Sequence, residues 1–148
     1  MTPEQYTQIC RELLLTCRDM ASITHSQLAP LCRKAGITVQ QMYVLIELHE
    51  NPAQHITQIC DRIGIQRTNF AIVSKKMERQ GLVKRIQSPN DRRSFTLAIT
   101  EHGSRVFDEV NDQIKRVFST TFREIPDDTV TTLIEGMHTL RAGTERMR

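Results

Sequence analysis

The residues of this chain best placed to do chemistry are two arginines on a turn. Arg92 and Arg93 stand in "QSPNDRRSFTLAIT", directly after Pro89, Asn90 and Asp91, and a run with strand-like alternation follows. Pro, Asn and Asp favour a tight turn, which projects its residues beyond the strands on either side. Asp91 can accept hydrogen bonds from Arg93, and a guanidinium held in that way keeps a defined pose. The bland alternative is a solvated loop with a surface ion pair, which contributes only about 0–1 kcal/mol.

Charge distribution favours a polyanionic partner. Residues 66–93 hold eight basic side chains against two acidic ones, Glu78 and Asp91, for a net +6. Residues 1–65 hold five basic and six acidic side chains, and residues 100–148 hold seven and nine. A cationic centre between near-neutral flanks is an electrostatic footprint, whereas a merely solvated face would mix the signs.

Other chemistries lack their residues. His25, His49, His55, His102 and His138 are scattered, and "HENPAQH" misses the HExxH zinc pattern because its second His comes six residues later. No nucleophile elbow, Walker-type loop or paired-carboxylate signature is present, so no enzyme, cofactor or metal is expected. Cys10, Cys17, Cys32 and Cys60 form no CxxC pair and are expected as free, buried thiols. Cys10 and Cys17 are seven apart and would share a helix face, which leaves a redox sensor as the alternative. No apolar run approaches the roughly 20 residues needed to span a bilayer. The N-terminus lacks the basic start and apolar core of a signal peptide, so a cytoplasmic location is expected.

The elements that must position the basic segment follow from periodicity. From Pro3 to about Lys34, Ile9, Leu13, Cys17, Met20, Thr24, Leu28 and Leu31 step by three or four, which predicts one long amphipathic helix with a bend or early end at Pro30 and a stop at Gly36. Thr38 is placed to cap a second helix carrying Met42, Leu45, Ile46 and His49, and "NPAQH" reads as a loop. Ile56, Ile59, Cys60 and Ile63, closed by Gly64, make a third helix. After a tight turn Phe70, Val73 and Met77 form the inner face of a fourth, a helix-turn-helix arrangement. Arg67, Thr68, Asn69, Ile72, Lys75, Lys76 and Arg79 are left for its outside. Beyond Gly81 the period changes to two, and "LVKRI" and "SFTLAI" read as a hairpin, a wing. Thr100 then caps a helix to about Phe122 with Phe107, Val110, Ile114, Val117 and Phe118 inward. Val130, Leu133, Ile134, Met137 and Leu140 mark a last helix after Pro126.

The expected fold is mainly α with a small β-hairpin wing: a winged helix-turn-helix over residues 37–99, with residues 1–36 and 100–148 as a helical dimerisation region. The terminal apolar faces exceed what a winged core of about 65 residues can cover, which implies a two-fold dimer with interlocked terminal helices.

These residues resemble a known family. "ITVQQMYVL" is similar to the L-T-x-x-Q-x-x-V-L opening of the MarR-type winged-helix regulators, and "QRTNFAIVSKKMERQGLVKR" to their recognition helix and first wing strand. "SPNDRRSFTLAITEHG" resembles their D-x-R-x-x-x-x-x-L-T wing signature through Asp91, Arg93 and Thr100, with Ile99 for Leu. Met42 stands where an aromatic is common, and Ile72 where a polar residue is frequent. The resemblance implies a homodimeric transcriptional regulator, most often a repressor, that binds pseudo-palindromic double-stranded DNA and is released by a small-molecule effector or by thiol oxidation.

With that resemblance, the segment 67–80 is expected in a major groove. Arg67, Thr68 and Asn69 would reach base edges or phosphate, Ile72 a thymine methyl, and Lys75 and Lys76 phosphate. Arg93 would enter a narrow minor groove, oriented by Asp91, with Arg92 on phosphate or sharing the role. An effector pocket would be lined by Cys17, Met20, Thr24, Met42 and Tyr43, for all of which plain core packing is the competing reading. The rival class is a winged-helix protein-interaction module without DNA binding.

Overall fold

Thr2 and Thr38 open helices by the same device. Each hydroxyl accepts from the backbone N–H three residues on, at 3.2 and 3.1 Å, while Gln5 and Gln41 reach back to the threonine N–H at 2.8 and 2.9 Å. These reciprocal boxes satisfy donors that a helix start leaves unpaired. In a computed structural model, which describes residues 1–87 and 95–145, the first box starts α1 (Pro3–Ile23) and the second α3 (Val39–Glu50).

The long helix expected to Lys34 is not uniform. α1 runs into a widened turn, Thr24–Leu28, where the N–H of Ala29 donates to the carbonyl of Thr24 five residues back, and α2 (Ala29–Lys34) follows. Pro30, in the first turn of α2, has no N–H, and its ring would crowd the carbonyl four residues earlier in a regular helix. An extra residue in the preceding turn relieves that conflict without stopping the helix. Gly36, at φ +74°, then ends it.

The winged region is built as the periodicity predicts, with one addition. α4 (Ile56–Ile63) closes on Gly64 at φ +68°, and α5 (Arg67–Arg79) follows after a short turn. β2 (Val83–Gln87) and β3 (Phe95–Ile99) pair antiparallel, with Arg85 opposite Leu97 and Gln87 opposite Phe95. The "NPAQH" loop contains β1 (Gln54–His55), which pairs with the other edge of β3, so the sheet order is β1-β3-β2. A two-residue strand is too short to show alternation, and its pairing is dictated by β3. Ala53, which leads into it, takes a positive φ of 57°. Gln54 is held by its side-chain amide, which donates to the Glu47 carboxylate at 2.7 Å and to the Asn51 carbonyl at 3.0 Å.

The chain divides into two compact units, residues 1–114 and 115–148. The core of the first contains Met42, Leu45, Leu48, Ile59, Phe70, Met77, Leu82, Leu97 and Val110. α3 buries Gln41, Met42, Val44, Leu45 and Leu48, while Ile46, expected inward, is exposed. α6 (Glu101–Thr121) begins in this unit, where Phe107 and Val110 are buried and Ile114 packs against the core. His49 stacks on Phe107 with ring centroids 4.3 Å apart. The Thr100 hydroxyl caps α6 by accepting from the Gly103 N–H at 3.0 Å. In the second unit Phe118 stacks on Phe122, and α7 (Asp127–Glu145) exposes Leu133, Ile134, Met137 and Leu140.

The cysteines divide evenly. Cys32 and Cys60 are buried, as expected, but Cys10 and Cys17 are exposed, because α1 buries none of its residues within the chain. Burial pushes the Cys32 and Cys60 thiols up, and nearby Arg67 partly counters this at Cys60. Among the described residues no helix is long and apolar enough to cross a membrane.

Candidate nucleic-acid interface

α5 has two faces. Phe70, Ser74 and Met77 are fully buried and hold it to the core, with Val73 half-buried beside them. Thr68, Ile72, Lys75 and Arg79 step by four, three and four along the opposite side, and Arg67, Asn69 and Lys76 flank that row; all seven are exposed. Ile72 is 70% exposed, a large apolar side chain left mostly open to solvent. Gln66, the residue before α5, makes no side-chain cap. The first turn of the helix is therefore left with donors and a positive dipole end beside Arg67, Thr68 and Asn69. The polar and cationic residues predicted for the outside of this helix lie together on one accessible surface.

The far end of α5 is anchored from two sides. The buried Gln41 donates from Nε2 to the side-chain oxygen of Gln80 at 2.6 Å, and Gln80 donates to the Gly36 carbonyl at 3.0 Å. On the other side the Thr100 hydroxyl donates to the carbonyls of Gly81 and Leu82, and the Thr100 N–H to Leu82 at 3.0 Å. The helix cannot slide along its axis without breaking one of these sets.

The strands β2 and β3 flank residues 88–94, among which the sequence places the two arginines. Asp91, Arg92 and Arg93 themselves lie outside the described residues. Lys84 and Arg85 extend the basic surface onto β2. Arg85 forms an ion pair with Glu78 of α5, Nε to Oε1 at 2.6 Å. Neither Glu78 nor Arg85 is given a role by the sequence motifs. The available signal is that Glu78 is the only acidic residue between Gln66 and Gln87.

The residues expected around an effector do not share one environment. Met42 is 1% exposed and sits in the core, whereas the adjacent Tyr43 is 42% exposed. Cys17 and Met20 lie on the open side of α1, and Thr24 is half-buried in the widened turn. Contact of Met42 with a ligand would require the core to repack.

Residues 37–95, from the start of the winged region to the first residue of β3, match the MarR family model. That segment is a MarR family domain. The homoprotocatechuate degradative operon repressor of Escherichia coli is 28% identical over 105 residues, covering 71% of this chain and 69% of that protein. The structure of the transcriptional repressor CouR bound to a 23-mer DNA duplex superimposes with a TM-score of 0.72 at 25% identity, covering 86% of this chain and 89% of CouR. NadR in complex with 4-hydroxyphenylacetate gives a TM-score of 0.71 at 24% identity, over 86% and 88% of the two chains. The winged helix-turn-helix fold of this chain is thus the fold of the proteins it resembles, which are named as regulators and repressors.

Proposed function

We propose that this protein is a homodimeric transcriptional repressor of the cytoplasm that binds a pseudo-palindromic operator. α5 lies in the major groove and Arg93, oriented by Asp91, enters the minor groove. The observation that carries the reading is the exposed row on α5, in which side chains suited to base edges and phosphates occupy one face while Phe70, Ser74 and Met77 fix the other. The DNA bound by CouR supports the partner class. Arg67, Thr68, Asn69 and Ile72 read base edges, and Lys75, Lys76 and Arg92 neutralise phosphate, which positions the helix without specifying sequence.

The dimer rests on what the chain leaves uncovered. α1 exposes Tyr6, Ile9, Leu13, Leu14 and Met20, and α7 exposes its own apolar row. Apolar rows of that length mark an interaction surface, and a second copy is the partner that also supplies the second half-site reader. Residues 1–36 and 100–148 form the dimerisation region. Release comes from a small-molecule effector, a reading supported by the ligand in NadR. Binding near Cys17, Met20, Thr24 and Tyr43 would shift the population of dimers whose recognition helices match the operator spacing.

Asn69 gives a test at one residue. Asn pairs bidentately with adenine N6 and N7, so Asn69→Ala is expected to relax preference at one base position per half-site by roughly 1–3 kcal/mol. Competition binding with operator variants reads this directly. An equal loss on operator and random DNA would make Asn69 a phosphate contact instead.

Thiol oxidation is a second reading of the release signal, favoured by the exposure of Cys10 and Cys17 on one helix. Under it, peroxide should release wild-type protein from its operator, and Cys10→Ser or Cys17→Ser should abolish that response. Peroxide-resistant binding in the wild type removes this reading.

A further inference from the structure

We propose that Glu78 and Arg85 form a brace that sets the angle of the hairpin against α5, and that they are positioning residues for DNA specificity rather than DNA contacts. The inference rests on the DNA-reading function proposed above and assigns a role to residues which that reading leaves unused.

Arg85 is held on three sides. Its Nε meets Glu78 Oε1 at 2.6 Å, its Nη2 lies 3.4 Å from the hydroxyl of the fully buried Ser74, and its guanidinium stands 5.7 Å above the Phe95 ring. Ser74 and Glu78 are one turn apart on α5, Arg85 is on β2 and Phe95 on β3, so one planar group touches all three elements. Both ion-pair side chains are about 30% exposed, at 31% and 29%, which leaves the pair less screened than one fully in water. A guanidinium suits this place because its fork and its flat face can be used together, which an ammonium cannot do.

The charge pattern gives the pair a second consequence. Glu78 is the one carboxylate along the basic face between Gln66 and Gln87, and a carboxylate near DNA phosphates opposes binding of any sequence. Its presence there makes physical sense if it removes the charge of Arg85 from the non-specific attraction and commits that arginine to geometry. DNA affinity without sequence preference scales with the number of phosphates neutralised, whereas preference depends on two reading elements holding a fixed spacing.

The test compares wild type, Glu78→Gln, Arg85→Lys and Arg85→Gln on a selected operator and on random duplex, each across a salt series. Glu78→Gln is expected to raise random-duplex affinity, to steepen its salt dependence by about one unit as Arg85 becomes free for phosphate, and to lower the operator-to-random ratio about tenfold. Arg85→Lys keeps the charge but loses the fork and the ring contact, so it should lower the same ratio even if Glu78→Gln fails to fold. An unchanged ratio in folded variants, with only a lower Tm, would overturn the brace and leave a plain stabilising pair. A shallower salt slope in Arg85→Gln, with the ratio unchanged, would overturn it in favour of a direct phosphate contact. Wild-type protein that shows no operator preference would refute the DNA-reading function itself, before either variant is considered.

Discussion

Gly103→Ala is expected to destabilise the winged region by about 3 kcal/mol or more, at the upper end of what overpacking a well-filled site costs. A methyl group at this buried position would press into the backbone carbonyl of Leu82 and come within 2.9 Å of Ile99 Cγ1. The carbonyl cannot yield cheaply, because it already accepts from the Thr100 N–H at 3.0 Å and from the Thr100 hydroxyl at 3.1 Å. Moving it would pull on Leu82, a core residue 1% exposed, and on the turn that ends α5. Chemical denaturation monitored by circular dichroism measures the loss. A change below about 1 kcal/mol would mean that the start of α6 can shift away from β2 freely. Thr100→Val is the milder companion, since it removes the cap on Gly103 and should cost about 1 kcal/mol.

Arg93→Ala is expected to weaken operator binding by about tenfold to a hundredfold, on the order of 1–3 kcal/mol, while dimerisation and helix content stay unchanged. A guanidinium in a narrow minor groove sits where negative potential is concentrated, so its loss removes more than one average phosphate contact. Arg92→Ala, on phosphate, should instead reduce operator and random DNA affinity alike and lower the salt slope by about one. Fluorescence anisotropy at several salt concentrations separates the two. Equal affinity of Arg93→Ala and wild type would remove the minor groove from the mechanism.

Much of the architecture is legible in the sequence because local chemistry and the tertiary fold agree. Thr38 announces α3 as its N-cap, which the structure completes into a box with Gln41, and Gly64 closes α4 in the one backbone region that favours glycine. The apolar step Phe70, Val73, Met77 identifies the inner face of α5, and by elimination the outer one. The long uncovered row of α1 is legible as a surplus of apolar surface, and the helix indeed buries none of its residues within the chain.

What escapes the sequence is what long-range contacts decide. β1 exists because β3 offers an edge next to Gln54, and two residues cannot carry a period of their own. The widened turn before Pro30 is one of several ways to accommodate a proline, and the apolar period does not choose among them. Cys10 and Cys17 are expected to be buried because cysteine behaves as a small hydrophobe, but their helix has no buried residue and both thiols are exposed. The meeting of Glu78 with Arg85 depends on how the hairpin folds back on α5, which no spacing rule encodes. Met42 carries the apolar character expected of a pocket wall, and the same character places it in the core.

The central claim is that two copies of α5 read an inverted repeat. Selection of bound duplexes from a random DNA library at about 150 mM salt, where non-specific attraction is largely suppressed, tests it most directly. The predicted result is an enriched inverted repeat whose half-site centres lie about 34–36 Å apart, one helical turn of DNA. A folded, dimeric protein that enriches no sequence would contradict the claim and identify the winged surface as a site for a protein partner.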